Sequence, residues 1–146
     1  MDITKPQKSM PDDTKSRTLE IELKVRDYEC DMDHVVNNAV YLNYLEHARH
    51  EFLLEKGIDF AQLARDKVNL VVVRAELDYK GSLTSGDRFA VTVAYEAVSK
   101  VRFGFRQQVI RLADNKVVLE GLIVGTAINE RGRPAIPADF AASLAE

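Results

Sequence analysis

The sequence is poor in the residues that mark specialised architectures. It holds one cysteine, Cys30, no tryptophan, four prolines and seven glycines among 146 residues. A lone cysteine closes no internal disulfide, so nothing in the chain asks for an oxidising compartment. No apolar run approaches the ~18 residues of a membrane span, and no basic-then-apolar signal peptide opens the chain. Neither sign of charge dominates. Twenty basic against 23 acidic residues give a net charge of −3, which argues against general nucleic-acid binding. The expectation is a cytoplasmic setting with neither nucleic acid nor membrane as partner. Length excludes barrels, two-lobed doubly wound folds and serine-hydrolase folds, because a chain of ~150 residues supports one domain around one core. What is present, 46% hydrophobic and 29% charged residues, is ordinary globular usage.

Residues 1–17 are polar, carry two prolines and show no periodicity, and read as a disordered leader to a single domain spanning 18–146. From Thr18 the pattern changes. Leu19, Ile21, Leu23 and Val25 alternate with charged residues, which describes a strand with one buried face. A charged, irregular stretch leads to a helix whose start is marked by Asn37 or Asn38 and whose end is marked by Gly57. Tyr41, Tyr44, Leu45, Ala48 and Phe52 form its apolar stripe, with Leu42 and Leu53 widening it; Asn43, Glu46, His47 and His50 lie opposite. Such a helix is ~27 Å long and can cross a whole sheet. A short helix from Asp59 to about Arg65 follows. Four strands complete the pattern: Leu70–Tyr79, Arg88–Glu96, Val101–Leu112 and Val117–Ile128, the last two joined at Asp114–Asn115. A tail from Pro137 has the form of one or two helical turns. The expected fold class is α+β: one long helix wrapped by a five-stranded, mostly antiparallel sheet.

The chemistry concentrates in Asp27–Asn38, DYECDMDHVVNN. Four acids (Asp27, Glu29, Asp31, Asp33), a histidine and two asparagines stand immediately before a helix. Acids near a helix N-terminus are commonplace, because the exposed N–H groups favour them. Strand parity carried past Val25 would nevertheless turn Asp27, Glu29 and Asp31 toward the core, where an unpaired carboxylate is costly. N–H groups at a helix start polarise a carbonyl and hold its oxyanion, and a carboxylate beside them attacks or activates water. A thioester is the easiest acyl substrate for so weak a nucleophile.

Val25–Ile58, VRDYECDMDHVVNNAVYLNYLEHARHEFLLEKGI, resembles the signature of hotdog-fold thioesterases of the 4-hydroxybenzoyl-CoA thioesterase family, near the acyl-acyl carrier protein thioesterases of plants and cyanobacteria. Tyr28, Glu29, Asp31, Val35, Val36, Asn37, Asn38, Tyr41 and Tyr44 carry the likeness, and LDYKGSLTSGD at Leu77–Asp87 adds a weaker match. The resemblance implies a hotdog fold and hydrolysis of an acyl thioester of coenzyme A or carrier protein, with neither metal nor cofactor. It implies catalysis by Asp31 as nucleophile or general base, and by the backbone N–H of Asn38 at the thioester carbonyl. It further implies that His34, Val35, Asn37 and Tyr41 line the substrate. Many relatives have glycine where this chain has His34, which is read either as a turn residue or as a donor to Asp31 or substrate. A homodimer or homotetramer follows, because one helix and one sheet leave no cleft deep enough for an acyl chain and a pantetheine arm.

Other candidates fare less well. A Cys30–His34 nucleophile would sit among four acids that raise a thiol pKa. His47, His50 and Glu51 lack a third metal ligand with suitable spacing. Some hotdog thioesterases take their acid from the helix, which draws attention to Glu46, though its polar stripe suits a surface role. Lys100, Arg102 and Arg106 share a strand face, opposite Val101, Phe103, Phe105 and Val109, in an acid-free stretch; Lys100 and Arg102 are candidate docking residues for phosphates or an acidic carrier protein. A hotdog dehydratase or hydratase, and a non-catalytic acyl-thioester binding module, remain alternative functions.

Overall fold

The computed structural model describes residues 18–145; the leader expected over 1–17 lies outside the described residues. Strand β1 (Thr18–Lys24) is followed by helix α1 (Asn38–Glu55) and the short helix α2 (Phe60–Arg65). Strands β2 (Asn69–Tyr79), β3 (Arg88–Ser99), β4 (Arg102–Arg111) and β5 (Lys116–Ile128) come next, then helix α3 (Ala138–Ala145). The five strands form one sheet in the order β1-β3-β4-β5-β2, every neighbouring pair antiparallel. Strands β1 and β2, which α1 and α2 join in the chain, lie at opposite edges of the sheet. The long helix has to cross the sheet to connect them.

Local chemistry accounts for the helix limits. Asn37 caps α1 by accepting from the Ala39 N–H at 2.9 Å, and Gly57 takes the left-handed φ of 80° just past its end. Asp59 caps α2 by accepting from the Gln62 N–H at 3.0 Å. The apolar stripe of α1 behaves as its spacing requires. Tyr41, Tyr44, Leu45, Ala48, Phe52 and Leu53 are buried, packed on Phe89, Val91, Phe105 and Val109 of the sheet. Leu42 differs: at 40% exposure it faces solvent instead of widening the stripe, because it lies on the far side of Tyr41. The C-terminal tail forms a full α3 whose Phe140 ring sits 5.3 Å from Phe103.

Two features of the sheet position the functional region. Helix α1 packs chiefly on β3 and β1, which leaves the inner face of the β2 half less covered. Strand β2 itself is an edge, hydrogen-bonded to β5 on one side only, and Val72 (54%) and Val73 (42%) are exposed there. A long apolar edge of this kind is a template for pairing with another chain.

Candidate active site

The segment between β1 and α1 is a tight, internally bonded hairpin rather than a continuation of β1. Asp27–Glu29 forms one 3-10 turn, Cys30 bridges Val36, the Asp31 N–H donates to Val35 O at 2.9 Å, and the Asn37 N–H donates to Glu29 O at 3.0 Å. The 3-10 turn breaks strand parity, so of the three acids expected to face the core only Glu29 does. Asp27 and Asp31 are exposed.

Glu29 is the structural acid of the hairpin. Its Oε1 accepts from the Arg26 N–H at 2.9 Å and from the Tyr44 hydroxyl at 2.8 Å, and its Oε2 accepts from Arg26 Nη1 at 3.0 Å. Burial pushes its pKa up, but these three donors outweigh burial and hold it below the ordinary carboxylate value. Burial, with Glu29 beside it, in turn drives the Tyr44 phenol up. The linkage has a definite sign. Because the folded pKa is depressed, the contribution of Glu29 is complete above the ordinary value of 4.5 and is lost as pH falls through the lower folded value. Glu29→Gln is expected to lower stability at neutral pH by about 1–3 kcal/mol. Thermal melts at pH 7 and pH 4 check this, with the gap between wild type and variant narrowing at the lower pH.

Asp31 occupies the hairpin tip. Its Oδ1 accepts from the Asp33 N–H at 2.9 Å, which orients the carboxylate while leaving it open to solvent. His34 adopts φ 67°, a left-handed conformation suited to glycine, and its carbonyl accepts from the Thr84 hydroxyl at 2.7 Å. Its ring is exposed and makes no hydrogen bond to Asp31 among the described residues; the link between the two is backbone, the His34 N–H donating to Asp31 O at 3.0 Å. The structure thus gives His34 a turn geometry. Val35 is half-buried, and the Val36 N–H donates to Leu83 O at 2.9 Å.

Beyond the hairpin, the first residue of α1 is Asn38. Its N–H has no acceptor among the described residues, whereas the next N–H, of Ala39, is taken by the cap. An open N–H at a helix start is an oxyanion donor in waiting. Two tyrosines fix this end of the helix. Tyr79, the last residue of β2, donates to Asn38 O at 3.0 Å, and Tyr41 accepts from the Leu83 N–H at 3.0 Å. The Tyr41 and Tyr79 rings meet edge to face at 5.6 Å. The β2–β3 connection is therefore bonded to the hairpin from beneath; Ser85 also donates to Asp27. Local patterning carries no sign of the Tyr79–Asn38 bond or of the Tyr44–Glu29 bond, because the partners are 41 and 15 positions apart.

Asp31, His34, Val35, Asn37, Asn38 and Tyr41 are brought together around one helix start. Lys100 and Arg102 are not. Lys100 lies in the β3–β4 turn and Arg102 opens β4, at the other end of the twelve-residue β3, on the order of 40 Å away along the strand. Arg106 is also less free than its acid-free neighbourhood suggested, since its Nε donates to Glu96 at 2.8 Å. Among the described residues no group of three or more His, Cys, Asp or Glu side chains is arranged to hold a metal ion. His50 instead sets its ring at a tilt of 48° to Phe60, 5.5 Å away, and lies 3.9 Å from Glu46.

A cavity of about 320 Å³ opens between the C-terminal half of α1, α2 and the start of β2. Leu53, Phe60, Leu70, Val72, Phe105 and Ile123 contribute apolar walls, and Glu46, Arg49 and His50 contribute polar ones. Its size is at the small end of ordinary ligand pockets.

The chain belongs to the thioesterase-like superfamily, whose family model matches residues 25–144. Over 115 residues the chain is 38% identical to a chloroplastic acyl-acyl carrier protein thioesterase of Arabidopsis thaliana, covering 79% of this chain and 60% of the plant protein. It thus spans about three fifths of the length of that relative. It is 29% identical over 119 residues to the long-chain acyl-CoA thioesterase FadM of Escherichia coli, covering 81% of this chain and 89% of that one. Among solved structures, a 1,4-dihydroxy-2-naphthoyl-CoA thioesterase from Synechocystis superposes with a TM-score of 0.83 at 17% identity, over 88% of this chain and 96% of that one. The fold is the hotdog fold, as the resemblance implied.

Proposed function

We propose that the protein hydrolyses acyl thioesters of coenzyme A or of an acyl carrier protein, with Asp31 as nucleophile or general base and the Asn38 N–H holding the oxyanion. The observations that support this are an exposed carboxylate oriented by the Asp33 N–H and an unsatisfied N–H at the start of the helix into which the same hairpin leads. The thioester carbonyl oxygen accepts from Asn38, and negative charge develops on it as the carbon is attacked. If Asp31 attacks, an anhydride forms, the thiolate leaves, and water then hydrolyses the anhydride. If Asp31 acts as base, it takes a proton from water as that water attacks. Either route gives a free acid and a free thiol. Loss of thiol release on Asp31→Asn tests the assignment.

The working unit is a dimer paired through the β2 edges. A two-fold partner contact between identical strands is isologous and antiparallel, so it covers Val72 and Val73 of both chains. It also lays the Lys100–Arg102 end of one sheet beside the Tyr79–Asn38 end of the other. In that arrangement Lys100 and Arg102 of one subunit dock the phosphates of the substrate bound by its partner, which removes the distance seen within one chain. The double variant Lys100→Glu/Arg102→Glu is expected to raise KM about tenfold or more with kcat nearly unchanged. Initial-rate kinetics at two ionic strengths check it, since the effect should shrink in high salt. The cellular setting that goes with this reading is the cytoplasm.

A further inference from the structure

Arg49 is the one residue of the α1 cavity whose charge sits inside the helix–sheet layer. Burial lowers its pKa, and the neighbouring Glu46 carboxylate partly offsets that. Its Nη1 donates to Gln107 Oε1 at 3.0 Å. Gln107 is only 1% exposed, and its own amide donates to Leu45 O at 3.1 Å and Thr92 O at 3.4 Å. Those two bonds fix which way the Gln107 amide points, and hence where the guanidinium is held. A guanidinium carries five N–H donors in a planar fork. Only the bond to Gln107 is made to the described residues. No buried side-chain polar atom among the described residues lacks a partner, so the remaining Arg49 donors reach solvent, and Arg49 is part of the cavity wall.

Resting on the proposal that acyl thioesters are the substrates, we infer that Arg49 is a specificity-determining residue that reads a neutral oxygen on the acyl chain, remote from the thioester. A plain alkyl chain filling this cavity would strip water from the guanidinium and return no acceptor, which is costly. A hydroxyl or keto oxygen restores one. A carboxylate suits the place less well, because Glu46 already stands in the same wall as compensating charge. The remoteness follows from the helix. Asn38 and the cavity are flanked by α1 and β2 of the same chain, and the guanidinium, tied through Gln107 to Leu45 O, lies between the levels of residues 45 and 49. At 1.5 Å rise per residue this is roughly 10–16 Å from the Asn38 N–H, on the order of ten bonds of an extended chain. Gln107 is a positioning residue for the guanidinium.

The test measures binding, so that it does not depend on turnover. Non-hydrolysable thioether analogues of a twelve-carbon acyl-CoA are compared by calorimetry: unsubstituted, with a hydroxyl near the tenth carbon, with a hydroxyl at the third, and with a terminal carboxylate. Wild type is expected to favour the remote hydroxyl over the unsubstituted chain by about tenfold or more. Arg49→Met should reduce that preference to within about twofold and bind the unsubstituted chain at least as well. Gln107→Met should give an intermediate preference, and Arg49→Lys should restore part of it. If Arg49→Met does not fold, the Gln107→Met and Arg49→Lys preferences decide the matter. A preference carried by the third carbon, one led by the carboxylate, or an equal weakening of all four ligands in Arg49→Met would overturn the inference. Thiol release from ordinary acyl-CoA by wild type, measured alongside, reports separately on the hydrolase reading. Its absence would strike that reading and leave the binding comparison intact.

Discussion

Asp31→Asn is expected to lower kcat by about 10²–10⁴-fold, the range over which a positioned acid or base contributes, with KM and Tm close to wild type. The expectation of an intact fold comes from position. Asp31 is exposed at a hairpin tip, and its side chain accepts only the local Asp33 N–H, a bond an asparagine oxygen also accepts. The expected loss of rate comes from chemistry, since an amide neither attacks a thioester nor takes a proton from water. Glu29→Gln supplies the contrast. Glu29 is also an acid on the hairpin, but it is saturated by Arg26 and Tyr44, so its loss should show in stability and far less in kcat. The two variants together separate the acting acid from the supporting one.

That distinction could not be read from the sequence, although much around it could. The alternation in β1, the Tyr41–Phe52 stripe on α1, a helix start at Asn37 or Asn38, of which Asn37 proves the cap, and the turn at Gly57 are set by neighbours within a few residues and stand where their spacing puts them, while the short helix begins one residue past Asp59, which caps it. The assignment of Asp27, Glu29 and Asp31 depended on extending strand parity past Val25. The 3-10 turn at Asp27–Glu29, held by the Arg26–Glu29 bonds, interrupts that parity, and Tyr44, fifteen positions on, captures the Glu29 carboxylate. Tyr79 and Gln107 leave no local pattern, since their partners lie 41 and 58 positions away. Lys100, expected on a strand face, lies in the turn, because β3 continues to Ser99. The left-handed backbone at His34 is the opposite case: a position where the resemblance implied glycine was already a hint of turn geometry.

The second large expected effect concerns the β2 edge. Val73→Glu is expected to convert a dimer to a monomer and to reduce activity by about 100-fold or more, because each interface would place two like charges face to face at a cost of several kcal/mol. Val73 is exposed in the single chain and does not line the α1 cavity, so the loss of rate would come from the missing partner rather than from a damaged pocket. Light scattering reports the mass and circular dichroism the fold. In wild type, activity per chain should fall on dilution below the dimer dissociation constant. A Val73→Glu variant that stays dimeric, or a fully active monomer, would remove β2 from the interface and leave Lys100 and Arg102 too distant to serve any site.

The central claim is that the hairpin and helix start cleave thioesters. Incubating the purified protein with a panel of acyl-CoA and acyl-carrier-protein thioesters, and following free thiol and acid together, tests it most directly. Stoichiometric release of thiol and free acid, abolished by Asp31→Asn, is the result expected. Formation of an enoyl product with no thiol release, or tight binding with neither, would contradict it in favour of a hydratase-type enzyme or a binding module.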